Sequence, residues 1–250
     1  MKAPRIHAFG GPEVILIEDV PRPIAAAGEI LVRVVAAGVG PWDAIIRKGN
    51  SKVGPQPPLT LGSDLSGVVE EVGPGVKGFQ KGDELYGVTN PQFRGANAEY
   101  AIASSGTIAA KPKQLSHVEA ASAPVVAVTA WQMLFDYGKA KQNQAVLILG
   151  AAGNVGAYAV QLVLDLVGGD TRERAARVVR PGGPWFQLCR LVLCPQDPTC
   201  IPCFFTWKSQ QCALNKISAL FNRGVLAPKV GPFAVERDSH STRDARRGTS

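Results

Sequence analysis

Short apolar runs broken by Gly and Pro fill the N-terminal part of the chain. Val14–Glu18 and Ile30–Val35 are rich in β-branched residues, and that pattern predicts strands. Gly67–Val72 and Glu84–Val88 flank a Gly-Pro-Gly turn and a Lys81-Gly82-Asp83 turn, and Ala98–Ile102 reads as a further strand. Many short strands of this kind predict a small antiparallel barrel or sandwich. The pattern changes near residue 115. Ser116-His117-Val118-Glu119 is a capping box, in which Ser116 and Glu119 satisfy each other's backbone amides. His117 is then expected as an exposed first-turn residue rather than a ligand. A second helix is expected from about Val125 to Tyr137, after Pro124 and before the stop residue Gly138. Residues 145–149, AVLIL, are continuously apolar, as in a parallel strand buried on both faces.

That run feeds directly into Gly150-Ala151-Ala152-Gly153-Asn154-Val155-Gly156. A strand followed by glycines and then a helix is the phosphate-binding turn of a dinucleotide domain. The first glycine permits the tight turn, the second lets backbone approach a pyrophosphate, and the last lets the helix pack on the strand. The helix N-terminus then offers free amides and a positive dipole end to the phosphate. A glycine-rich turn alone is a weak signal, and its place between strand and helix strengthens it.

Composition narrows the classes. The chain has 250 residues and is 46% hydrophobic, enough for a buried core. No apolar run reaches the ~18 residues of a membrane span, and MKAPRIHAFG lacks the apolar stretch of a secretory signal. A cytoplasmic protein without membrane partners is expected. The net charge of +7 reads as surface Lys and Arg, compatible with a nucleotide phosphate. No basic run interleaved with aromatics points to nucleic acid. All five cysteines fall between Cys189 and Cys212, including a Cys200/Cys203 pair, and their spacing fits no zinc template. They read as reduced structural thiols.

With these motifs in place, the chain resembles the zinc-free quinone oxidoreductase (zeta-crystallin-like) branch of the medium-chain dehydrogenase/reductase superfamily. The resemblance runs over about residues 1–163. It is carried by AAGVGPWDAIIRKG (Ala36–Gly49), LGSDLSGVVEEVGPGV (Leu61–Val76), KGDELYG (Lys81–Gly87), AEYA (Ala98–Ala101), TAWQ (Thr129–Gln132) and GAAGNVG. It implies a fold of α/β plus β class: a GroES-like catalytic barrel domain (1–120), a Rossmann-type parallel-sheet domain (121–235), here truncated, and a disordered tail (236–250). It also implies a nicotinamide cofactor between the domains, NADPH rather than NAD, and a homodimer. By the same resemblance Gly40, Pro41 and Asp43 wall the nicotinamide end and Thr129 touches the nicotinamide or its ribose. Gly150, Ala151, Ala152, Gly153, Asn154, Val155 and Gly156 line the pyrophosphate.

Zinc-dependent relatives carry Cys where this chain has Gly40, and Gly-His-Glu where it has Gly62-Ser63-Asp64. Gly40 and Ser63 supply no thiolate or imidazole, so no catalytic zinc is expected. Trp42 and Trp131 read as packing residues, and Arg47 as a surface or barrel-stabilising charge. Hydride transfer to a quinone, enone or related carbonyl is the implied chemistry. None of His7, His117 and His240 is placed to deliver a proton, so no catalytic acid is assigned. An enoyl-thioester reductase and a non-catalytic nucleotide-binding protein are the alternatives.

The family pattern jumps after Val163. Leu164–Asp170 resembles a late Rossmann strand, so the second strand and the cofactor-selectivity loop are missing from their usual place. Asp170 lies 20 residues after Gly150, the spacing of a ribose-reading acid, but its neighbours match a later loop. Asn215–Val230 resembles the family again, as a helix ending at Gly224 followed by a strand.

Overall fold

The computed structural model describes residues 1–52, 54–141, 146, 148–166, 210–228 and 235–236. Two sheets form its N-terminal part. The first orders β2 (Ile15–Asp19), β1 (Lys2–Ile6) and β4 (Leu59–Thr60). The second orders β7 (Tyr100–Ser104), β3 (Glu29–Ala37), β5 (Asp64–Val72), β6 (Glu84–Val88) and β8 (Ile108–Ala110), and β9 (Val235–Glu236) pairs with the end of β3. Among the described residues every pairing is antiparallel and the ladder does not close into a barrel.

β3 and β5 form the spine. Their register runs from Ile30 opposite Val72 to Ala37 opposite Leu65, with shifts after Leu31 and Val34. Such shifts bend and twist a strand, which wraps the sheet around its own apolar side. Ile30, Val32, Val34, Leu65, Val69, Leu85 and Ile108 fill that interior. The short apolar runs at 30–35, 67–72 and 84–88 all lie within strands. The expected strand at 14–18 sits one residue later because Val14 ends a short 3-10 turn, and that at 98–102 sits two later.

Among the described residues, five α-helices follow or interrupt the strands. α1 (Pro41–Arg47) leaves the end of β3, and α2 (His117–Ala121) carries the Ser116–Glu119 capping box. α3 (Pro124–Trp131) continues as a π-helical segment, Gln132–Tyr137, so the helix expected to Tyr137 changes its winding halfway. α4 (Asn154–Leu166) follows the glycine-rich turn, and α5 is Gln210–Asn222. Tyr86, Val128, Leu134, Tyr158, Leu162, Leu214, Ile217 and Phe221 form the core that joins α3, α4 and α5 to the large sheet.

Three expectations change here. His117 is not an exposed first-turn residue. Its side chain is 15% exposed, with Nδ1 2.7 Å from Ser66 Oγ and Nε2 3.1 Å from Glu84 Oε1. Burial holds its pKa below the usual imidazole value. Leu164–Leu166 continue helix α4 rather than starting a late strand. Gly224 follows the end of α5 at φ 69°, but Val225–Pro228 form no strand. The strand at 145–149 falls partly outside the described residues. Asp170, the cysteines before Cys212 and the tail from 237 lie wholly outside them, and Cys212 is an exposed free thiol. No helix among the described residues is long and apolar enough to cross a membrane.

Candidate functional site

The glycine-rich turn has the geometry its sequence requires. Gly150 sits at φ 81°, the left-handed region that favours glycine. The Gly153 amide donates to Gly150 O at 2.9 Å, and the Ala157 amide to Gly153 O at 2.9 Å, so the helix begins immediately after a closed turn. At Gly156 a Cβ would stand 2.0 Å from Gly150 O and 2.7 Å from Ala151 Cα. Only glycine lets α4 approach the turn this closely. Ala152, Gly153 and Asn154 are exposed, and the first amides of α4 have no intrahelical acceptor. These groups fit an anion of pyrophosphate size and charge.

α3 packs along α4 and carries Thr129. The Thr129 hydroxyl donates to Val125 O at 2.7 Å, and the Val125 amide donates to Asp64 Oδ1 at 2.8 Å. From Asp64 a buried chain of hydrogen bonds runs back to α1. Ser63 Oγ donates to Asp64 Oδ2 at 2.6 Å, and Trp42 Nε1 donates to Ser63 Oγ at 2.8 Å. One polar chain therefore fixes α1, the β4–β5 connection and α3 against each other.

Asp43 makes a second clasp. Its Oδ2 accepts from the Gly40 amide at 2.8 Å and its Oδ1 from the Gly62 amide at 3.0 Å. Burial raises the Asp43 pKa to about 6 despite those amides, which lower it. Burial likewise raises Asp64 to about 7, against the opposing bonds from Ser63 and Val125.

Gly40, Pro41, Asp43 and Thr129 are thus brought together through Trp42, Ser63 and Asp64, and the turn at 150–156 lies on the helix beside Thr129. Asp43 is placed as a strut: both its oxygens are taken by backbone amides. A Cβ at position 40 would stand 2.2 Å from Trp42 Cε2 and Cζ2, so the indole takes the space of a side chain there. Trp42 also packs on Phe93, with ring centroids 6.3 Å apart. Sequence patterns missed two features. Asp64 is an anchor, whose signal was an acid inside the apolar run LGSDLSGVV. Arg47 is half-buried beside a cavity, and nothing in its periodicity marks it out.

Residues 26–113 match the alcohol dehydrogenase GroES-like domain family. A quinone oxidoreductase of Lama guanicoe is 37% identical over 188 residues, which is 73% of this chain and 56% of that protein. The solved quinone oxidoreductase of Coxiella burnetii is 37% identical, with TM-score 0.62 over 67% of this chain and 54% of its own. A mycobacterial protein solved in complex with NADPH is 32% identical, with TM-score 0.60 over 67% of this chain and 50% of its own. The chain is thus similar to quinone oxidoreductases over roughly three quarters of its length, and its residues 26–113 match a GroES-like domain. It spans about half the length of the curated relatives it matches.

Proposed function

We propose that this protein is an NAD(P)H-dependent oxidoreductase that reduces a quinone, enone or related carbonyl acceptor, with NADPH preferred and no zinc required. The observation that carries the reading is the turn at Gly150–Gly156, closed on α4 with its outer face open. When bound, the dinucleotide supplies the hydride. The amides of Asn154, Val155 and Gly156 hold its pyrophosphate, and Gly150, Ala151, Ala152 and Gly153 shape the loop around it. Asp43 and the Trp42–Ser63–Asp64 chain orient α1 and α3, so that Gly40, Pro41 and Thr129 wall the nicotinamide end. Zinc independence rests on donor chemistry. Gly40 has no side chain, and the Ser63 hydroxyl is a poor zinc ligand already engaged by Trp42 and Asp64. Quinones and enones spread incoming charge over their own conjugation, so a Lewis acid is less needed.

Fluorescence titration with NADPH, with NADH as the control, tests the cofactor claim, and absence of binding by both overturns it. NADPH oxidation with quinone, enone and enoyl-thioester acceptors then separates the activities. A second reading, a nucleotide-binding protein without turnover, is favoured by the indole that fills the space over Gly40. Tight NADPH binding with no oxidation by any acceptor supports it. A homodimer in the cytoplasm, acting on a small molecule, belongs to the same proposal, and sedimentation of the purified chain tests its assembly.

A further inference from the structure

We propose that a second recess, beside the nicotinamide wall, is the acceptor subsite, and that Arg47 selects acceptors whose apolar body ends in a carboxylate. This rests on the reductase reading above. The recess is a cavity of ≈ 370 Å³ between β1, β2, the end of β3 and α1. That is the size of a small-molecule site. Its walls are mainly apolar, with Ile15, Val39, Ala44 and Leu61 among them, and it shares Gly40 and Asp43 with the nicotinamide wall.

Arg47 is the cationic side chain that lines this cavity. Its Nε is enclosed and has no hydrogen-bond partner among the described residues. Among those residues no carboxylate lies within ion-pair distance of its guanidinium. The acid that would normally pair with it is Asp43, four residues earlier on α1. Both Asp43 oxygens are instead committed to the Gly40 and Gly62 amides. A guanidinium cannot shed its charge by losing a proton, and among the described residues no carboxylate offsets it. The cavity therefore favours a ligand that brings its own anion. A neutral apolar ligand fills the walls but leaves the cation unpaired. A phosphate pairs with the cation but finds few further donors on apolar walls. A carboxylate matches the guanidinium fork with two parallel bonds, and its apolar body matches the walls.

The test uses the full chain without nucleotide. Sodium hexanoate is the probe and hexanamide is its neutral isostere, with binding read by calorimetry or ligand-observed NMR. Hexanoate is expected to bind at least about ten-fold more tightly than hexanamide, the scale of a charge-assisted bond. Arg47→Met abolishes that preference and Arg47→Lys keeps part of it. Ala44→Leu fills the cavity and weakens both ligands, which tests the site even where Arg47→Met does not fold. Equal binding of the two ligands to the wild type, a preference that survives Arg47→Met in folded protein, or hexanoate binding indifferent to Ala44→Leu each overturns the proposal. NADPH titration is run separately. Hexanoate preference without NADPH binding sinks the reductase reading alone. NADPH binding without the preference sinks the subsite alone.

Discussion

Gly156→Ala puts the phosphate turn to a direct physical test. Position 156 lies in the first turn of α4, where helix propensity alone favours alanine over glycine by up to about 1 kcal/mol. The packing argues the other way. The added Cβ would stand 2.0 Å from Gly150 O, 2.7 Å from Ala151 Cα and 2.7 Å from Gly150 C. All three are backbone atoms of a closed turn, so no side-chain rotation relieves the contact. Overpacking of this kind costs about 1–3 kcal/mol. The expected net effect is destabilisation, which lowers the melting temperature by roughly 2–4 °C per kcal/mol in a chain of this size. Any relief by shifting α4 also moves the amides that face the ligand, so NADPH affinity is expected to fall about ten-fold, the worth of one charge-assisted bond. Circular dichroism melts and NADPH titration read the two effects. Gly106→Ala is the control, because its Cβ meets nothing within 4 Å. A Gly156→Ala protein that melts at or above the wild type and binds NADPH normally would refute the reasoning.

Three further outcomes follow from the core and the buried carboxyls. Leu162 is fully enclosed where α4 meets α3 and α5, so Leu162→Ala should cost about 2–5 kcal/mol in urea unfolding with an unchanged denaturant slope. The Tyr86 hydroxyl donates to Leu214 O at 2.9 Å and ties β6 to α5, so Tyr86→Phe should cost about 0.5–1.5 kcal/mol in the same assay. Asp43 and Asp64 have folded-state pKa values raised from 3.8 to about 6 and about 7, so the folded chain binds protons more readily than the unfolded one. Their contribution is complete below the unfolded value and is lost as pH rises through the folded values. Stability should therefore decline between about pH 4 and pH 7 from this pair, with a shallower slope in Asp64→Asn. An identical slope in the two proteins contradicts the assignment.

The legible parts of the fold are those whose signal is local. Short apolar runs bounded by Gly and Pro marked Ile30–Val35 and Glu84–Val88, whose strands are buried on both faces. Ser116 and Glu119 marked the start of α2 because a capping box is complete within four residues. β1 was not legible. KAPRI contains a proline and a buried alanine, and its strand character comes from pairing with Ile15–Asp19 and Leu59–Thr60. α1 was hidden for a related reason: it is short and begins on Pro41, and the clasp that stabilises it reaches Gly62, distant in sequence. His117 was misplaced because a first-turn position says nothing about Glu84 and Ser66, which arrive from β6 and β5.

The site divides along the same line, and Asp43 shows why. Asp43 and Arg47 stand four residues apart on α1, the spacing of a helix ion pair. The pair forms only if Asp43 is free to turn along the helix. Gly40 and Gly62 hold its carboxylate at the helix start, where two amides at 2.8 and 3.0 Å satisfy both oxygens. Fixing α1 against the β4–β5 connection thus consumes the helix's own counter-charge and leaves the guanidinium facing a cavity. The phosphate turn needs no such long-range fact, since Gly150 and Gly156 constrain each other within seven residues. The glycine-rich turn is therefore written in the sequence, whereas the recess beside Arg47 is a product of tertiary packing.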